Sequence, residues 1–417
     1  MARQMKDSGV EWIGEIPETW DILPAKRMFC NSGETKKADD VQLTASQQYG
    51  IISQSDYMAL TGSRVVLATQ DLEKWKHVEP QDFIISLRSF QGGLEMSKVS
   101  GCITWHYVVL RSCHKGINAR FYKWLFKSSE YITALQRTCN YIRDGQDLRY
   151  SNFEQVPLFL PKEEEQEIIA NILDTKCAEI DKVVEQTRAT IEEYKKLKQA
   201  IITEAVTKGV RGPRSMKPSG VEWIGDIPEG WKKVSLKYLC RMNAGDSLSS
   251  LDILPKGDYP VYGGNGLRGF YSSSNCKGPI ILIGRQGALC GNVHRVDGDF
   301  WATEHAVITR FTPDIFMQYG YYLLVAMNLG QYVSPSAAQP GLSVSKISSI
   351  TATIPSISEQ QEIAAYLDTK CAEIDRIIEK KEQLIEELGS YKKSLIYECV
   401  TGKREIKIHN YSQGAIC

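Results

Sequence analysis

Residue types that carry chemistry are plentiful in this sequence, but few stand at the spacings that chemistry requires. Gly264-Asn265-Gly266-Leu267-Arg268-Gly269 fits the GxGxxG spacing that cradles a pyrophosphate. The fit stops there. Phe270-Tyr271-Ser272-Ser273-Ser274 is a poor helix start, and a dinucleotide needs a helix N-terminus behind the glycines. A plain turn is the better reading. There is no Walker A lysine motif and no (N/D)PP(Y/F) of the kind amino-methyltransferases use. Pro313-Asp314 lacks a nearby acid-x-Lys partner for a nuclease centre, and Asp297 and Asp299 read as a solvated turn. The six histidines are dispersed without zinc spacing. Eleven cysteines, none in CxxC spacing, read as reduced thiols of a cytoplasmic protein. The sequence thus carries no convincing catalytic apparatus, no metal site, and no cofactor site of its own.

What remains is a set of polar side chains beside glycine turns. Arginine suits bidentate contact with guanine, and glutamine or asparagine with adenine, in the major groove of DNA. The candidates are Arg88, Gln91, Arg143, Gln146 and Arg149 in the first half of the chain. In the second half they are Arg268, Arg285, Gln286, His294 and Gln339. Each one alone fits an ordinary surface or structural role better. Their grouping near glycine turns in both halves is what points to double-stranded DNA.

Such side chains need a scaffold, and the scaffold is written twice. Leu-Asp-Thr-Lys-Cys-Ala-Glu-Ile-Asp occurs at Leu173–Asp181 and again at Leu367–Asp375, 194 residues later. The match extends to Glu165-Gln166 on Glu359-Gln360, Ala170 on Ala364, Glu204 on Glu398 and Val206-Thr207 on Val400-Thr401. Apolar positions step by four and three along both copies. Leu173, Ile180, Val184 and Ile191 mark the seam of the first, and Leu367, Ile374, Ile378 and Ile385 that of the second. A heptad seam held that long predicts two helices of about 40 residues, each needing a partner for its stripe, and the nearest partner is the other copy. Lys198 and Lys392 interrupt the seam at equivalent places; polar residues there can specify register, but the favoured reading has their stems along the seam and their ammonium groups snorkelling off it.

A second repeat frames each half. Ser8–Trp20 (SGVEWIGEIPETW) returns at Ser219–Trp231 (SGVEWIGDIPEGW), offset by 211. Ser8 with Glu11 fits a helix-capping box, and Trp12, Ile13, Ile16 and Trp20 give the segment an apolar face for docking on a core. Between box and helix the halves read as mixed α/β. Val65–Gln70, Asp82–Ser89 and Cys102–Leu110 are β-rich, and Asn118–Gln136 is helical. In the second half Asp258–Ser273 reads as strand and turn. Pro279–Val296 and Trp301–Phe311 are also β-rich, and Met317–Leu329 helical. The offsets differ by 17, so the second half is shorter by about that much. The expected division is a box at 1–20, a first recognition domain at 21–160 and a central helix at 161–208. A linker and second box follow at 209–231, then a second recognition domain at 232–354, a distal helix at 355–402 and a tail at 403–417. The net charge of zero hides an asymmetry. Residues 21–150 hold 17 Lys/Arg against 13 Asp/Glu, and residues 232–350 hold 11 against 7, so each is at +4. The remaining segments hold 22 against 30, or −8. Two mildly basic units on acidic helices suit a binder of phosphates. No apolar run is long enough to span a membrane and no secretory leader opens the chain.

These boxes and helical repeats resemble those of the specificity subunits of type I restriction-modification enzymes. Tyr259–Tyr271 (YPVYGGNGLRGFY) and Gly284–Gly291 (GRQGALCG) are similar to stretches of their target-recognition domains. The resemblance implies an α+β architecture of two target-recognition domains separated by two long antiparallel helices, with an internal pseudo-two-fold repeat. It implies a non-catalytic subunit in which each recognition domain reads one half of a split DNA site. The helices would set the spacing and dock two modification subunits that bind S-adenosylmethionine. Restriction subunits using ATP and magnesium would complete the enzyme. The dissimilar recognition domains then predict an asymmetric target. Two other readings stay open: a non-catalytic two-headed adaptor holding protein ligands on the same helical spacer, and an enzyme in its own right.

Overall fold

In a computed structural model, residues 3–46, 48–63, 71–85, 94–139, 141–142, 145–146, 148–287, 290–333 and 341–405 are described, with the backbone alone at 141–142 and 145–146. The chain divides into two compact units. The first holds residues 1–186 and 384–417, and the second residues 187–383. Each unit contains part of both long helices.

The two units follow one plan. Each opens on a hairpin, Met5–Asp7 with Glu15–Pro17 in the first and Met216–Pro218 with Asp226–Pro228 in the second. A two-stranded ladder follows, Asp21–Leu23 with Leu158–Leu160 and Lys232–Ser235 with Thr351–Ile354. Then comes a four-stranded antiparallel sheet. Its order in the first unit is Phe29–Asn31, Val108–Ser112, Phe83–Ile85, Glu95–Met96. In the second it is Cys240–Ala244, Ala306–Phe311, Ile280–Gly284, Val293–Val296. The Ile280–Gly284 run is buried at all five residues, as an uninterrupted apolar strand must be when both its faces are covered.

Several local expectations are corrected. The repeated box is not a capped helix. Ser8 sits in a hairpin, where its hydroxyl accepts from the Val10 amide at 3.1 Å, and the chain turns on Gly9 and Gly14 at φ +66° and +67°. Gly220 and Gly225 repeat those angles at +69° and +65°. A side chain is strained there, which accounts for glycine in both copies. The segment Asn118–Gln136 is two helices, Ala119–Leu125 and Ser129–Arg137, separated at Ser128, whose hydroxyl donates back to the Leu125 carbonyl. Cys102–Leu110 and Trp301–Phe311 are each broken by a tight turn. The strands are Gly101–Ile103 and Val108–Ser112 in one, Asp299–Ala302 and Ala306–Phe311 in the other. The stretch 209–218 is not a free linker, since Arg211 grips Glu362 at 2.8 and 2.7 Å. The β-rich reading of Val65–Gln70 lies outside the described residues.

The units differ between their common strands. The first inserts a hairpin, Leu43–Ser46 with Gly50–Ser53, followed by the helix Gln54–Thr61. The second inserts a sheet of order Gly266–Tyr271, Tyr259–Gly263, Asp299–Ala302, Cys276–Lys277.

The long helices run over Glu163–Lys208 and Ile357–Val400. Their seam positions are buried or half-buried throughout. Leu173, Ile180, Ile191, Leu367 and Ile374 are buried, while Val184, Ile378 and Ile385 are half-buried. In the first unit Leu173, Cys177 and Ile180 join one core with Leu395 and Cys399. In the second, Leu367 and Cys371 join one with Ile202, Ala205 and Val206. The seam lysines do not end in water. Lys198 reaches Asp375 at 2.7 and 2.6 Å, and Lys392 reaches Asp181 at 2.6 and 2.7 Å. A late residue of one helix meets an early residue of the other in each unit, so the pair is antiparallel. These bridges are half-exposed and contribute at most about 1 kcal/mol each. Their value is in fixing the register of the two helices, each within its own unit.

The helix starts are anchored identically. Trp20 donates to Glu165 at 2.8 Å, and Trp231 to Glu359 at 3.0 Å. Arg3 pairs with Glu165 and Arg214 with Glu359, both at 2.5 Å, each guanidinium lying over the tryptophan ring. Gln166 accepts from the Asn118 amide and donates to the carbonyls of Gly116 and Pro161. Gln360 does the same with Phe316, Asp314 and Pro355. Asp174 takes Arg120, Lys123 and Trp124, whereas Asp368 takes Gln318 and Tyr322. Arg3 and Arg214 share the 211-residue offset, so the repeat begins before Ser8. Glu359→Ala removes the acceptor from a buried indole and a guanidinium, at a cost of about 2 kcal/mol. Denaturant titration should show that loss, and a smaller one for Glu165→Ala, whose carboxylate is 25% exposed against 6% for Glu359.

Candidate nucleic-acid interface

The second unit gathers most of its candidate residues around one hairpin turn. The strands Tyr259–Gly263 and Gly266–Tyr271 are joined at Gly264-Asn265, so the GxGxxG spacing makes a hairpin and not a phosphate loop. Its glycines are there for close approach. A Cβ on Gly264 would stand 2.7 Å from the Gln286 carbonyl oxygen and 3.1 Å from that of His305. One on Gly263 would stand 2.6 Å from Arg268 Cδ, and Gly266, at φ +87°, lies against the His294 ring. Arg268, Gln286 and His294 thus meet about this turn. Arg285 is held beside it by its backbone, donating to the His305 carbonyl and accepting from Leu342, both at 2.9 Å.

The four side chains differ in readiness. Arg268 is exposed, and Arg285 and Gln286 are half-buried. Gln286 Oε1 lies 2.6 Å from His305 Nδ1, which fixes the amide. His294 Nε2 is shielded and has no partner among the described residues. Burial pushes the His294 pKa down, so the ring is neutral near pH 7 and presents a lone pair or one N–H. Gln339 lies outside the described residues.

In the first unit Arg88, Gln91 and Arg143 lie outside the described residues. Gln146 is in a short strand, Gly145–Gln146, paired antiparallel with Tyr141–Ile142. Arg149 is exposed just before the helix Tyr150–Phe153, and its amide donates to Asn152 Oδ1 at 2.9 Å.

Sequence reasoning missed three exposed or half-exposed rings, His305, Trp105 and His106, and one buried charge cluster. His77 is 1% exposed. Its Nδ1 faces both oxygens of Asp40 at 2.9 and 2.8 Å, and its Nε2 faces Glu79 at 2.6 Å and Lys37 Nζ at 2.8 Å. Nearby, Arg111 binds Asp82 through two nitrogens and Glu34 through a third. Glu34, His77 and Glu79 bring ligand atoms close enough for a cation. Lys37 and Arg111 already supply the positive charge, and the donors are spent on them. The cluster ties the Glu34–Asp40 loop to the Lys76–Val78 strand.

The profile of the type I restriction modification DNA specificity domain matches residues 17–193 and 228–387, well over half of the chain. The chain belongs to that family. The type I restriction enzyme EcoprrI specificity subunit of Escherichia coli is 46% identical over 147 residues, 34% of this chain and 36% of that protein. The type I restriction enzyme MjaVIII specificity subunit of Methanocaldococcus jannaschii is 25% identical over 294 residues, 62% of this chain and 64% of that protein. The matched stretches thus span about a third of one relative and just under two thirds of the other. Among solved structures, a chain from work on complex assembly and conformational transition of the type I R-M system has a TM-score of 0.71. It is 14% identical, with 93% of this chain and 99% of that chain covered. The HsdS subunit from Thermoanaerobacter tengcongensis has a TM-score of 0.50 at 15% identity, covering 93% and 98%. At those identities the likeness is one of fold. It gives the specificity-domain fold to a chain whose two matched segments each include one box tryptophan, a recognition region and the first part of a long helix.

The His77 cluster sets a pH dependence for the first unit. Burial alone would lower the His77 pKa, but its bonds to Glu79 and Asp40 outweigh that and raise it above the ordinary value. Bonds from His77 and Lys37 hold Glu79 down at about 2. A raised histidine stabilises fully below the unfolded-state pKa of about 6.5, and that contribution fades as pH rises through the higher folded value. Thermal unfolding of the first unit from about pH 6 to about pH 9 should show this decline. His77→Gln should flatten it.

Proposed function

We propose that this chain is the sequence-reading subunit of a type I restriction-modification complex. Each unit reads one half of a bipartite DNA site through the polar side chains beside its glycine turns. The observation that carries the reading is the specificity-domain match to both halves of a chain whose helix anchors repeat and whose recognition regions do not. The first unit's hairpin and helix and the second unit's extra sheet offer different surfaces, so the half-sites differ and the target is asymmetric. The adaptor reading is disfavoured by the same match.

The chemistry belongs to other polypeptides: two modification subunits using S-adenosylmethionine, and restriction subunits using ATP and magnesium. What supports two equivalent docking places is that apolar residues stand exposed at repeat-related positions on the long helices. Val183 and Ile377 are 43% and 36% exposed, and Leu197 and Tyr391 are 48% and 51% exposed, each pair 194 residues apart. The complex acts in the cytoplasm in this reading, and no helix among the described residues is long and apolar enough to cross a membrane.

Methylation mapped in cells that carry this chain with its modification partner should give a divided, asymmetric motif. A palindromic or undivided motif sinks the proposal. Duplex binding should also weaken steeply with salt, as phosphate contacts require and an adaptor for proteins would not. Removing one heptad from each long helix keeps the seam in phase and shortens the pair by about 10 Å. The gap in the methylated motif should shrink by about three base pairs, at about 3.4 Å per step. An unchanged gap would show that the helices do not set it.

A further inference from the structure

The turn that breaks the central run of each unit is the same turn. Ile103-Thr104-Trp105-His106-Tyr107-Val108-Val109 stands 199 residues before Ala302-Thr303-Glu304-His305-Ala306-Val307-Ile308. In both, threonine and histidine flank one variable residue. Both turns are closed by backbone alone, Tyr107 donating to the Thr104 carbonyl at 3.1 Å and Ala306 to the Thr303 carbonyl at 2.9 Å. Neither histidine is needed for that bond. Both turns head the central strand of the common sheet, yet they lie next to insertions that share no plan. A repeated Thr-x-His in the least repetitive part of the chain calls for a cause other than folding.

Exposure suggests the cause. Ile103, Val109, Ala302, Ala306 and Val307 are fully buried. Thr303 is buried as well, but the residues at the tip of each turn come out: Trp105 is 52% exposed, His106 is exposed, and Glu304 and His305 are half-exposed. In the second unit the turn lies against the glycine hairpin, with the Thr303 amide donating to Tyr262 at 2.9 Å and the His305 carbonyl beside Gly264. There His305 Nδ1 meets Gln286 Oε1 at 2.6 Å. That bond leaves the glutamine amide hydrogens directed away from the histidine. An amide held in place before binding loses less rotamer freedom when it meets a base. In the first unit Trp105 lies stacked on His106, with ring centres 3.6 Å apart and planes at 29°. The pair presents a flat apolar surface with a polar edge, suited to a thymine methyl and its neighbour.

We infer that the Thr-x-His turn is a base-reading element common to both units, with His305 positioning Gln286 in one and Trp105 stacked on His106 in the other. The inference rests on the DNA-reading function proposed above. The test uses the full chain expressed with its modification partner, and methylated bases mapped across the host genome. In His305→Ala, discrimination at one or two base positions of one half-site should fall about tenfold, with the other half-site unchanged. His305→Asn places an amide nitrogen where Nδ1 stood and should restore the wild-type preference. Trp105→Ala should relax positions in the opposite half-site only. Should His305→Ala abolish methylation altogether, Gln286→Ala is decisive, since it leaves the turn intact. An unchanged motif in Gln286→Ala and Trp105→Ala, or an equal loss at every sequence, overturns the inference. Absence of any divided motif in the unmutated protein would overturn the parent reading instead.

Discussion

The constraint on which this structure depends is the fixing of a long helix where it enters a globular unit. A helix of more than 40 residues satisfies its own backbone, but offers only a narrow apolar stripe to anything else. Left to that stripe it could slide or roll. Three side chains spaced along its first turns prevent this. A glutamate takes the box tryptophan and an arginine, and a glutamine takes the backbone of the loop before the helix that follows the sheet and of the proline before its own helix. An aspartate two turns further on takes the helix that follows the sheet. All three recur in the second unit, the glutamate and the glutamine with matching partners and the aspartate with different ones. The repeated motif is thus a set of polar anchors, with an apolar seam between them.

Those anchors leave the rest of each unit free to differ. Where Asp174 meets Arg120 and Trp124, Asp368 meets Gln318 and Tyr322, at the same two places on the helix. The anchor acid is kept while its partners change. The insertions between the common strands diverge further still, a hairpin and helix against a four-stranded sheet with one parallel pair. A subunit that must present different surfaces on one frame is well served by this division. The frame is polar and local to the helix starts, and the variation sits on strand connections whose backbone is held at both ends.

The seam lysines show how a charge can specify without stabilising much. Lys198 and Lys392 run their stems along the apolar stripe and end on Asp375 and Asp181, residues of the opposite repeat. The sequence places a lysine at each of those seam positions and an aspartate at the end of each repeated motif. It does not say that they meet, because the meeting depends on the helices being antiparallel and on how far each is shifted.

Much of the architecture is legible in the chain itself. The two repeats, the seam through Leu173, Ile180, Leu367 and Ile374 and the mixed α/β character between them follow from period and identity, and the boxes carry the resemblance to the family. These are properties of neighbours in sequence, or of two segments compared directly. Tertiary structure decided the rest. It turned the Ser8–Trp20 box into a hairpin on left-handed glycines, since dihedral angle outranks capping preference there. It broke two apparent strands at Thr104 and Thr303, and so brought His305 onto Gln286. It buried His77 among acids 37 and 2 residues away in the chain. A contact between residues distant in sequence leaves no period behind it. The side chains that such contacts orient become readable only when the backbone has closed around them.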